Sequence, residues 1–323
     1  MSRRNDILEW AADRRLRAAD VLAALRLAGI LPTAGGWRRF LDRLTLWLAV
    51  VLLCAAVIMF FAYNWQAMGR YAKFGLVEAL FVVAILAAWR FGPDRIAGQA
   101  ALLGAAILVG ALLALIGQVY QTGADPWELF AVWAIAILPW VAMLRFAPLW
   151  LFWLALVNLA AILYHQAFGG LIGVLFGTER LLWVLLVLNT VALAAWEFLA
   201  LRGIEWLQPR WAPRVLATAS GGLATALAVW AVFGFRTIGV AGALAYGAWL
   251  GGAYAFYRYR LRDVFVLAGG VLSGIIVVAS VLSRMLLDLG GAEAGAFLLI
   301  GLAVIGLSAA GGFWLRRVAQ EGP

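Results

Sequence analysis

Apolar positions in this chain come in long unbroken runs, without the period-two alternation of a half-buried strand or the single stripe of a soluble amphipathic helix. No charge interrupts Leu44–Tyr63, and only Asp125 interrupts Ala100–Trp127. At about 1.5 Å of rise per residue, such runs cross a hydrocarbon core of about 30 Å. Ten segments of this kind are predicted, at 44–63, 74–92, 96–117, 128–145, 148–167, 180–201, 212–234, 237–257, 263–283 and 294–315. The expected fold is therefore all-α, a polytopic transmembrane helix bundle of about ten spans.

The polar loops between the runs carry an orientation signal. With a cytoplasmic N-terminus, 20 Lys and Arg fall on the inner side and 5 (Arg70, Lys73, Arg180, Arg236 and Arg284) on the outer side. The two classes alternate loop by loop, as the positive-inside rule requires. Adding or removing one span would destroy the alternation, so both termini are expected in the cytoplasm.

Composition agrees. Hydrophobic residues make up 66% of 323, charged residues 13%, and mean hydropathy is +0.97. A soluble fold would lack the polar surface to cover such a core. The net charge of +9 reads as topology signal that also attracts anionic lipid, and no nucleic-acid partner is expected. One Cys (Cys54) and one His (His165) exclude an internal disulfide and multi-ligand Cys or His metal centres. No signal peptide is expected, because the first forty residues are charged and helix-like. Phosphate loops, zinc-helix motifs, nucleophile elbows and dinucleotide fingerprints are absent from the sequence. No catalytic residue, cofactor or metal is therefore assigned.

Three regions are expected. Residues 1–43 form a cytoplasmic amphipathic head of two short helices, with Gly29 as a stop and Pro32 beyond it. The head reads either as a docking pair for a partner or as an interfacial anchor. Residues 44–201 form a first membrane unit of six spans, and 212–315 a Gly-rich second unit of four, joined at Gln208–Pro213. The spacings Gly247–Gly251 and Gly270–Gly274 suit close helix packing. The apolar stretch 166–179 reads as interfacial or re-entrant.

Ionisable groups at membrane depth are the default candidates for function. Glu78 lies about one turn into the second span, where a partner or a raised pKa is expected. Glu197 ends the sixth span, with Arg202 or Arg90 as expected ion-pair partners. Asn158 and Asn189 fall mid-membrane as candidates for hydrogen bonds across helices. Asn64, Trp65, Gln118, Tyr120, Gln121, Asp125 and His165 share the outer level of Glu78. Together they form either a periplasm-facing polar cluster for recognition or a set of helix-end caps. "GADPWELF" supports capping, with Asp125 at the N-cap, Pro126 at the first helical position and Glu128 in the first turn.

Two stretches carry a family resemblance: "FFAYNWQAMGRYAKFGLVEA" (Phe60–Ala79) and "IGQVYQTGADPWELFAVWAIAILPWV" (Ile116–Val141). Over roughly residues 5–200 the chain resembles the bacterial membrane-protein family catalogued as domain of unknown function 2157. The last four spans resemble a second uncharacterised membrane module. The resemblance implies no activity; it implies a bacterial inner-membrane location and, as a possible partner, a small envelope protein encoded nearby. The expected function is a non-enzymatic envelope scaffold or partner subunit within the lipid bilayer. The alternative is a transporter of a small solute or lipid using Glu78, with a membrane enzyme third.

Overall fold

The computed structural model describes residues 3–31, 33–64, 68–167, 178–233, 239–288 and 293–321. Among them are twelve α-helices and no strand. Nine of these helices are long and apolar enough to cross a membrane. The tenth expected segment differs. It is α-helical only over Gly239–Ala255, 17 residues, and a π-helical turn at Phe256–Arg260 carries it on. The α-helical part alone lies at the short end of the roughly 17–25 residues a span requires.

The head forms α1 (Arg3–Ala12) and α2 (Val21–Leu27). Gly29 ends α2 at φ +71°. Its N–H donates to the Arg26 carbonyl, and the Ile30 N–H to that of Leu25, both at 3.0 Å. These bonds satisfy carbonyls the helix leaves free at its C-terminus.

Helix α3 runs over Ala34–Asn64, starting before the expected Leu44. Thr33 accepts the Gly36 N–H at 3.1 Å and caps the first turn. Nothing from Trp37 onward breaks the helix, so the juxtamembrane segment and the first span are one rod. Trp37 meets Phe40 edge to face at 5.8 Å.

Contacts divide the chain into two compact units, one of Leu31–Leu175 and one of Met1–Ile30 with Phe176–Pro323. This partition differs from the compositional one at Gln208–Pro213.

In the Leu31–Leu175 unit, α4 (Arg70–Phe91), α5 (Ile96–Tyr120), α6 (Pro126–Met143) and α7 (Ala147–Ala167) follow α3. Helix α5 packs against α3, α4 and α6, and α6 pairs with α7. Ala106, Ile137, Val141 and Leu149 are fully buried between them. The Trp133 indole N–H donates to the Ala106 carbonyl at 2.7 Å. Its ring covers Gly110 so closely that a Cβ there would sit 2.4 Å away.

In the other unit, α9 (Trp211–Phe233) is central. It packs against α8 (Thr178–Leu201), α10 (Gly239–Ala255) and α11 (Val264–Asp288), while α12 (Glu293–Gln320) lies on α11. Hydroxyls join the helices: Thr190 to Ser220 at 2.6 Å, Thr225 to Ser273 at 2.6 Å, and the Trp249 N–H to Ser220 at 2.7 Å. In lipid, hydrogen bonds of this kind supply association that apolar burial cannot.

The expected glycine contacts move. Gly247, Gly251 and Gly274 face open space, and only Gly270 is approached, by Leu250 at 3.3 Å. Close approach occurs instead at Gly221 under Trp249 and at Gly311 under Val271. The glycines that matter seat a bulky side chain from the next helix; paired glycine backbones do not meet. Arg284, expected in an outer loop, lies within α11 and donates to the Val232 carbonyl at the end of α9. A cation there suits both the free carbonyls and the negative end of the helix dipole.

Candidate functional site

Antiparallel pairing brings the outer-level candidates to one end of the Leu31–Leu175 unit. There α4 begins beside the end of α5, with Phe74 and Tyr120 at 6.1 Å. Likewise α6 begins beside the end of α7, where Trp127 meets Tyr164 edge to face at 5.0 Å. Gln121 ends α5 in the left-handed conformation, φ +46°, and Gly123 follows at φ +68°. This tight reversal delivers Asp125 to the N-cap of α6, with Pro126 opening the helix. The Asp125 side chain makes no capping hydrogen bond; the Asp125 carbonyl accepts the Glu128 N–H at 3.0 Å.

Glu78, Gln118, Tyr120, Gln121 and Asp125 are exposed, and His165 is half-buried in the last turn of α7. Glu78 forms no ion pair with any described residue. The Asn64 side chain, Trp65 and the stretch 168–177 lie outside what the structure describes. Lys73, expected as a loop cation, is instead in the first turns of α4 and buried.

The most concentrated polar chemistry is elsewhere, in the second unit. Glu197 ends α8, Arg210 and Arg214 open α9, Tyr257 lies in the π-helical turn after α10, and Asp263 precedes α11. Arg210 bridges both acids, with one nitrogen 2.8 Å from Glu197 Oε2 and another 3.1 Å from Asp263 Oδ2. Arg214 Nε lies 3.0 Å from Asp263 Oδ2. The Tyr257 hydroxyl donates to Glu197 Oε1 at 2.8 Å. Asp263 Oδ1 also accepts the Phe265 N–H at 3.1 Å, so the same carboxylate starts α11 and clamps α9. The acid side chains are 4% and 2% exposed, against 29% for Arg210.

This corrects the pairing expected for Glu197. Its partner is Arg210, whereas Arg202 stacks on the Phe198 ring at 4.6 Å. Residue separation misled here: Arg202 is nearer along the chain, but it lies past the end of α8, where its side chain reaches back along the outside of its own helix. Asn158 and Asn189 each donate at 2.8 Å to the carbonyl four residues earlier in their own helices.

Burial opposes the charge on Asp263, but the hydrogen bonds from Arg214 and Arg210 outweigh it and hold the carboxyl below its ordinary value. A depressed folded value means the stabilisation is complete above the unfolded value of about 3.9 and is lost as pH falls through the folded one. The wild-type melting temperature in detergent should therefore drop on acidification below about pH 4. Asp263→Asn, less stable at neutral pH, should show a flatter profile over that range. Parallel profiles for the two proteins would contradict this.

Neither a curated protein nor a solved structure matches the chain. What does match is a sequence family: residues 8–150, which take in most of the head and all of α3 to α6 with both resemblance stretches, fit the family described as predicted membrane protein (DUF2157).

Proposed function

We propose that this membrane protein is a non-enzymatic partner subunit of the bacterial inner membrane, recognising a small envelope protein with the polar rim formed by α4, α5 and α6. The positive-inside count supports a periplasmic rim and cytoplasmic termini. One observation carries the reading: Glu78, Gln118, Tyr120, Gln121 and Asp125 are all exposed. An exposed tyrosine ringed by polar groups on rigid helix ends suits protein recognition. A solute path needs a watered route toward the mid-plane between helices, and the filled core at Ala106, Ile137, Val141 and Leu149 weighs against one in this unit.

A photo-crosslinking amino acid at positions 118, 120 and 121 in living cells tests the proposal. The expected result is one discrete adduct from all three positions, its added mass smaller than the 34.9 kDa of the chain itself. Val187, exposed midway along α8, is the lipid-facing control and should give none. Silence at the rim, or the same adducts from Val187, would overturn the proposal.

A further inference from the structure

We propose that the groove between α8 and α10 binds one anionic phospholipid, with an acyl chain along the groove and the phosphate on Arg202. This inference does not rest on the rim. Helices α8 and α10 both pack on α9 and leave between them a half-open groove of about 350 Å³. That volume falls within the roughly 300–1,000 Å³ of ligand sites. Leu193, Ala194, Leu201, Ala248, Gly252 and Phe256 make its walls apolar. An occupant must therefore present hydrocarbon along most of its length.

Polarity is confined to specific points. Glu197 and Tyr257 also line the groove, but they are satisfied by Arg210 and by each other. Charge bookkeeping identifies what is left over. Arg210 and Arg214 balance Glu197 and Asp263, and Arg258 is paired with Glu321. Arg202 has no acidic partner among the described residues. It is the first residue beyond the apolar span Arg180–Leu201, which puts it at headgroup depth. Its guanidinium rests on Phe198, itself a groove residue. An apolar slot with a guanidinium at its interfacial end that no described acid neutralises is complementary to an anionic amphiphile. A planar guanidinium matches phosphate geometry well.

Native mass spectrometry of the full-length protein in mild detergent, titrated with phosphatidylglycerol or phosphatidylcholine, tests this. Wild type should hold phosphatidylglycerol about tenfold more abundantly, because the choline cation of phosphatidylcholine offsets the phosphate charge that meets Arg202; about tenfold is near the low end for a hydrogen bond to a charged group. Arg202→Gln should abolish the preference. Gly252→Leu should reduce both adducts without lowering the melting temperature, since a Cβ at Gly252 meets no atom within 4 Å. Equal adducts of the two lipids on wild type would overturn the proposal. So would retained preference in Arg202→Gln, or wild-type binding by a folded Gly252→Leu. A lipid-free dimer that Gly252→Leu converts to monomer would assign the groove to a second copy instead.

Discussion

Replacing Arg210 by Leu is expected to destabilise the protein by about 3–5 kcal/mol, the cost of leaving a buried charge without its partner. The size follows from burial. Glu197 and Asp263 are almost fully enclosed, and among the described residues Arg210 is the one cation that touches both. Arg214 still neutralises Asp263 in the variant, but Glu197 keeps only the Tyr257 hydroxyl. Arg210→Lys should recover only part of the loss, because a single ammonium cannot reproduce the fork that spans two carboxylates. Arg90→Leu is the control. Arg90 is exposed on α4, and its loss should stay within about 0.5 kcal/mol. Reversible unfolding in detergent, followed by tryptophan fluorescence, measures all three. Adding Glu197→Gln to Arg210→Leu should restore part of the stability, since the buried charge then disappears with its partner.

The second large effect is expected at Gly98. A Cβ there would lie 1.9 Å from the Gly92 carbonyl oxygen and 2.7 Å from its carbon, both backbone atoms. The turn from Gly92 to Arg95 joins α4 to α5, and Gly92 holds φ +82°. A side chain at 98 therefore cannot be accommodated by a rotamer change; the turn itself must move. Gly98→Ala should cost about 3 kcal/mol, the upper end of overpacking penalties, despite the better helix propensity of alanine. Gly75→Ala in α4 is the comparison, since a Cβ there meets nothing within 4 Å. It should be neutral or slightly stabilising in the same melting experiment.

The helices were legible in the sequence because lipid excludes charge over a fixed length, and that signal needs no tertiary knowledge. The segment beginning at 237 is the instructive exception, since its α-helix is short and a π-helical turn completes it. Hydropathy averages over a window and is blind to a change of helical pitch. The start of α3 was missed for a related reason: Arg38, Arg39 and Arg43 end the apolar run but do not end the helix.

The site was less legible. Exposure of Tyr120 or Gln118 could not be read from composition, because a polar side chain at a helix end serves capping and recognition equally well. The Arg210 cluster draws its members from four stretches up to about sixty residues apart, so spacing could not reveal it. A weaker signal was present. Glu197, Arg210, Arg214 and Asp263 all border spans at ends that the alternation of loops assigns to one membrane face. Pairing acids with bases within each face, and ignoring distance along the chain, would have put Arg210 among the candidates for Glu197.

Cysteine labelling tests the topology most directly. In a Cys54-free background, Ala124→Cys lies in the exposed turn between α5 and α6, and Gln208→Cys in the exposed turn between α8 and α9. A membrane-impermeant maleimide added to intact spheroplasts should modify position 124 at once and reach position 208 only after the membrane is opened. Labelling of 208 in sealed cells with 124 protected would reverse the orientation and put the rim in the cytoplasm; equal labelling of both would break the ten-span path.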